Sequence, residues 1–192
     1  MITAACIHNG DIQTCYRRGG PAFAIWAACG VPVYCDFLVP GSFRWPSRLM
    51  VLVACPTSSP MVDWVRVLAS RPDCAVGVDV PFPIFVPDAI VAVHPEQGAA
   101  AMAFWTDPIR RGRALTAIQS ADFVTTSQYS WDGAPDWLPQ LRALNPRTGV
   151  LPDTIDLDST VTFGQRLAAM WSAAIERKNG GKAWMPHELV SR

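Results

Sequence analysis

Three short segments carry the residue types that grip anions, orient hydroxyls or move protons. The first is Tyr16-Arg17-Arg18-Gly19-Gly20-Pro21. Two arginines offer charge-assisted donors, and the glycines allow a ligand close to the backbone. A helix opening at Pro21 adds oriented N–H groups, so the segment has the parts of a phosphate site. It is neither G-x-G-x-x-G nor a G-x-x-x-x-G-K-[ST] loop. The same residues also suit a loop of solvated arginines. The second segment is "AVGVDV", in which Asp79 stands at the end of an apolar run. A carboxylate there can orient a sugar hydroxyl or serve as a base, and it can equally cap the next turn. The third is "TTSQYS", residues 125–130, a hydroxyl-rich stretch that can hold a polar ligand or cap a helix. His94, in "VAVHPE", is a further acid–base candidate, although a lone histidine more often sits satisfied at a surface. His8 and His187 offer less. No H-E-x-x-H and no G-x-S-x-G occurs.

These residues need a scaffold, and the hydrophobic pattern describes one. Strands are expected at Ile2–His8, Val31–Phe37, Leu49–Cys55, Ala75–Val80, Phe123–Thr126 and Thr148–Leu151. The continuous apolar run "LMVLVAC" suits a strand covered on both faces. Helices are expected at Pro21–Cys29, Ser59–Ala69, Asp107 to Ser120 and Trp137–Leu144. In the second of these, Met61, Trp64, Val65 and Leu68 form one stripe. A final helix has its start predicted at the T-x-x-Q pair Thr162 and Gln165. Phe163, Leu167, Met170, Trp171 and Ala174 line one face of it, and Asn179-Gly180-Gly181 ends it. Prolines alternate with bulky apolar residues in "PFPIFVP", residues 81–87, which predicts an extended loop. Strands alternating with helices predict an α/β, Rossmann-like layered domain with a mainly parallel sheet. In such sheets ligands meet the carboxyl ends of the strands.

Composition narrows the function classes. The chain has 192 residues, 50% of them hydrophobic and 17% charged, which excludes a disordered chain. Lys+Arg and Asp+Glu both number 16, so there is no overall electrostatic footprint for nucleic acid. No apolar run approaches the ~20 residues of a membrane span, and no secretory signal pattern is visible at the start. A cytoplasmic setting is expected. The six cysteines lie in the first 74 residues without C-x-x-C spacing, and read as small core hydrophobes rather than metal ligands. No metal site is expected.

Taken in order, the segments "CYRRGGPAFAIWAACGVPVY", "RLMVLVACPTSSPMVDWVRVLAS", "CAVGVDVPFPIF", "SADFVTTSQYS" and "GVLPDTIDLD" resemble the amino-terminal domain of type-B-fold glycosyltransferases, in particular short bacterial and phage forms. The likeness covers residues 1–158. "ADFVTTS" and "VLPDTIDLD" are its more specific parts. Asp79 stands where relatives carry several acids, and Pro152-Asp153 stands in place of Pro-Asn. The resemblance implies a Rossmann-like domain at 1–158, a crossing helix at 159–181 and a tail at 182–192. It also implies that the nucleotide-binding donor domain is missing, since only residues 159–192 follow. The activity implied is sugar transfer from a nucleotide-activated donor, with no other cofactor.

On that reading Asp79 and His94 are the catalytic candidates. Tyr16, Arg17, Arg18, Gly19, Gly20, Ser127 and Asp153 would bind substrate. A domain without its donor half would expose apolar groups at 81–87 and 131–137. A homodimer or a second protein is expected to cover them. Two further readings remain: a non-catalytic binding or structural module, for example in a phage particle, and another nucleotide- or sugar-binding α/β enzyme. A phage-encoded chain would work in the host cytoplasm or the virion. The eight tryptophans do not choose among these readings.

Overall fold

The computed structural model describes residues 3–8, 18, 20–37, 49–54, 58–80, 107–127 and 138–180. Six strands form one sheet: β1 (Thr3–His8), β2 (Val33–Phe37), β3 (Leu49–Ala54), β4 (Cys74–Asp79), β5 (Phe123–Ser127) and β6 (Thr148–Leu151). Their spatial order is β2-β1-β3-β4-β5-β6, and every pairing is parallel. The order reverses between β1 and β3, which makes that gap the topological switch point. The helices are α1 (Gly20–Ala28), α2 (Ser59–Ala69), α3 (Pro108–Ser120), α4 (Leu138–Leu144) and α5 (Leu157–Lys178). The expected Rossmann-like α/β fold is what the chain adopts.

Alternation along the strands makes two cores. Leu49, Val51 and Val53 of β3 and Val76 and Val78 of β4 face one side, where they pack with Met61, Val65 and Leu68 of α2, Ala114, Ala117 and Ile118 of α3, and Leu141 of α4. Met50, Leu52 and Ala75 face the other side, against Phe23 and Trp26 of α1 and Phe163, Leu167 and Trp171 of α5. β3 and β4 are therefore buried along their whole length, as continuous apolar runs require. Two strand glycines leave room for large neighbouring side chains. A Cβ on Gly77 would overlap the Phe123 ring of the adjacent strand, and one on Gly149 would press on Met170 of α5.

Local chemistry explains where the helices begin. Pro108 occupies the first turn of α3, and the Asp107 carboxylate accepts from the N–H groups of Ile109 and Arg110. α5 corrects the expected start. Asp156 caps it, accepting from Ser159 N at 2.7 Å, while the Ser159 hydroxyl closes a reciprocal box on the Asp156 N–H. This D-x-x-S box precedes the T-x-x-Q pair, so Thr162 and Gln165 fall inside a helix already running and cannot cap it. Gly180, at φ 61°, and Gly30, at φ 82°, take left-handed conformations just past the ends of α5 and α1. The Phe163, Leu167, Trp171 and Ala174 stripe is buried as expected, with Met170 packed at its margin.

The two edges of the sheet are unequal. At the amino edge, residues 29–32, 70–73, 121–122 and 145–147 return each helix to the next strand in a tight connection. At the carboxyl edge, residues 55–58 and 152–156 follow β3 and β6 in similarly short connections, whereas residues 9–19, 38–48, 80–107 and 128–137 separate the elements by much longer stretches of sequence. The segments 81–87 and 131–137, expected to meet a partner, and the tail 182–192 lie outside the described residues. Among the described residues no helix is long and apolar enough to cross a membrane. Cys6, Cys29 and Cys74 form no disulfide. Cys6 and Cys74 are buried in the core, as expected of small hydrophobes, whereas Cys29 is exposed at the end of α1. Burial pushes the Cys74 thiol up to about 12, which keeps it protonated and inert.

One amino-edge contact has a pH consequence. Lys178, the last residue of α5, donates to the carbonyls of Arg71 and Cys74 and to the Asp122 carboxylate at 2.7 Å. Burial raises the Asp122 pKa, and its hydrogen bonds from Lys178 and the Val76 N–H only partly offset that. The folded state therefore holds the Asp122 proton more tightly than the unfolded chain does. This group's contribution to stability falls as pH rises from the ordinary value of 3.8 through the raised one. Urea midpoints measured across that window should decline more steeply in the wild type than in Asp122→Asn. Parallel profiles would show that Asp122 titrates normally.

Candidate functional site

The candidate residues collect at the carboxyl ends of β4, β5 and β6. The parallel register sets Asp79 of β4 beside Thr125 of β5, and Ser127 of β5 beside Leu151 of β6. Asp153 follows β6 by two residues. Arg18, from the connection after β1, reaches across to the ends of β4 and β6.

Arg18 is 3% exposed and Asp79 is 0% exposed. The guanidinium forks the carboxylate: Nε donates to Oδ2 at 3.0 Å and Nη2 to Oδ1 at 2.8 Å. The Thr125 hydroxyl adds a donor to Asp79 Oδ1 at 2.6 Å. On its other side, Arg18 Nη1 donates to the Leu151 and Pro152 carbonyls, each at 3.2 Å, and to Asp153 Oδ1 at 3.0 Å. The Ser127 hydroxyl also donates to Asp153 Oδ1, at 3.0 Å. The Phe163 ring of α5 lies under the guanidinium, 5.4 Å from Cζ to centroid. Burial alone would lower the Arg18 pKa. The charges and hydrogen bonds of Asp79 and then Asp153 outweigh it, and the net direction is upward.

This arrangement is a strut. One planar cation ties the β1–α1 connection to the ends of β4 and β6, using both sides of its fork. Asp79 has no exposed surface, and both of its oxygens accept hydrogen bonds. A general base needs a lone pair open to substrate. Arg18 likewise directs its donors inward, whereas anion binding needs donors facing the ligand. Asp153 differs from both, because its side chain is 12% exposed and forms the outer lip of the cluster.

Comparison with protein-family models, with curated proteins and with solved structures gives no match.

Of the candidates, the structure brings Arg18, Asp79, Ser127 and Asp153 together, and Gly20 opens α1 two residues beyond Arg18. Tyr16, Arg17, Gly19 and His94 lie outside the described residues. Thr125 joins the cluster as a residue not singled out individually. Its signal was a hydroxyl at the end of an apolar strand, where a buried polar group requires a partner. Among the described residues no group of three histidines, cysteines or acids is placed to hold a metal.

Proposed function

We propose that this chain is a glycosyltransferase-like α/β domain that binds a nucleotide-activated sugar at the carboxyl edge of its sheet. One observation carries the reading. Four segments quoted for the resemblance each send a side chain into a single cluster: Arg18 from "CYRRGGP", Asp79 from "AVGVDV", Thr125 and Ser127 from "ADFVTTS", and Asp153 from "VLPDTID". The long connections leave the same edge, and loops over the carboxyl ends of strands are where α/β domains carry ligands.

The roles divide within this proposal. Arg18 and Asp79 hold the floor of the proposed site. Arg17, Tyr16 and Gly19 belong to the ligand, and His94 is the acid–base candidate left for chemistry. A second reading, a non-catalytic binding module, is supported by the closed hydrogen bonding of Asp79, which leaves that carboxylate no part in proton transfer.

Calorimetric titration with UDP-, GDP-, CMP- and dTDP-sugars tests the proposal. Binding of at least one of them is expected. Arg17→Ala should weaken it by about 10-fold or more, the worth of one positioned charge-assisted hydrogen bond, and should leave the melting temperature unchanged. Absence of binding across the panel would overturn the reading. Binding with transfer or hydrolysis of the sugar would identify an enzyme, and binding without turnover would identify the module.

A further inference from the structure

Within the proposed sugar-nucleotide site, the two carboxylates of the cluster do different work. Asp79 is sealed, whereas Asp153 is half finished. Its Oδ1 is pinned by two donors, Arg18 Nη1 and the Ser127 hydroxyl, each at 3.0 Å. Its Oδ2 accepts no hydrogen bond from the described residues, and its side chain keeps 12% of its exposure. A carboxylate held through one oxygen presents the other in a fixed direction. The rotamer entropy of ordering it has already been lost on folding, so a ligand that uses it does not lose that entropy again.

Charge says what that oxygen accepts. The cluster contains one guanidinium and two carboxylates, and Asp79 alone neutralises Arg18 through a bidentate fork. Asp153 therefore carries the cluster's surplus negative charge at its outer face. No other cation among the described residues pairs with either acid. A phosphate brought to this point would meet like charge in a partly desolvated place. A hydroxyl would meet an oriented acceptor.

We infer that Asp153 Oδ2 is the contact that selects the sugar: it accepts a hydrogen bond from a ring hydroxyl, and the negative charge beside it keeps the diphosphate away from the β6 end. The inference rests on the sugar-nucleotide reading and adds the orientation of the ligand, with the sugar toward β6 and the phosphates away from it, toward the β1 side. The identity of the sugar matters less to this contact than the presence of a donor at that point.

The test compares each sugar nucleotide of the panel with its free nucleoside diphosphate or monophosphate, on the wild type and on Asp153→Asn. The asparagine keeps one oxygen for Arg18 and Ser127 but turns the outward acceptor into an N–H donor and removes the surplus charge. In the wild type the sugar should add affinity over the free nucleotide. Asp153→Asn should remove that increment, a loss of about 10-fold for a hydrogen bond to a charged group, while the free nucleotide binds no more weakly than before. Thermal melting in the same buffer checks that the variant is folded. Were it not, Asp153→Glu, which keeps the charge and moves the oxygen outward, should show the same selective loss. An increment that survives in the folded variant would overturn the inference and leave nucleotide binding intact. Equal weakening of the free nucleotide by Asp153→Asn would also overturn it, because the lost contact would then not belong to the sugar. Failure of every nucleotide and sugar nucleotide to bind the wild type would overturn both this inference and the reading beneath it.

Discussion

Arg18→Ala is expected to destabilise the fold by about 3–5 kcal/mol, the usual consequence of stripping a buried carboxylate of its only cation. Asp79 is fully buried, and it loses both bonds of the fork. The Leu151 and Pro152 carbonyls lose a donor in the same step. Against a typical domain stability of about 5–15 kcal/mol, this is a large share. Arg18→Lys should recover only part of it, since an ammonium cannot span Asp79 and Asp153 with a planar fork. If Arg17 serves the ligand as proposed, Arg17→Ala should stay within about 0.5 kcal/mol. Urea unfolding of the three variants checks the set. A cost for Arg18→Ala as small as that of Arg17→Ala would show that Asp79 does not depend on it.

Trp171→Ala should cost a similar amount, about 3–5 kcal/mol, for a different reason. Trp171 is completely buried at the middle of α5 and meets Phe23 and Phe123 edge-on, at 6.0 and 6.4 Å between centroids, and Trp26 at 5.4 Å. Its indole N–H donates to the Val51 carbonyl at 3.3 Å. Truncation leaves a cavity under β3 that three rings fixed on α1 and β5 cannot fill. Trp171→Phe should cost less, because most of the volume remains. Equal costs for the two would shift the weight from packing to the N–H bond. Either variant loosens α5, and with it Phe163 beneath the Arg18 guanidinium, so the core and the carboxyl-edge cluster are mechanically joined.

Much of the scaffold is legible in the sequence, because periodicity reports burial. The α2 stripe and the apolar run of β3 place those elements within a residue of their observed bounds, and Asp107-Pro108 announces α3. The start of α5 is misjudged because two cap-like pairs lie within one turn or two of each other. Only the backbone decides between them, and Asp156 is the residue that takes the extended conformation. Strand order is not legible either, since the same alternation of strands and helices serves more than one doubly wound order. The site is legible as a set of residues and not as a network. Nothing in "YRRGGP" says that Arg18 turns inward, because the two arginines are chemically identical. The inward turn of Arg18 appears only when the parallel register sets Asp79 beside Thr125 and brings the β6 end within reach.

Ligand binding at the carboxyl edge is tested most directly by amide chemical shifts. Titration of the tightest-binding sugar nucleotide into ¹⁵N-labelled protein should shift the amides of Arg18, Gly20, Val80, Ser127 and Asp153. It should leave those of Val31, Asp73, Asp122 and Arg147, at the amino edge, where they were. Shifts confined to the amino-edge set, or a spectrum unchanged at saturating ligand, would contradict it.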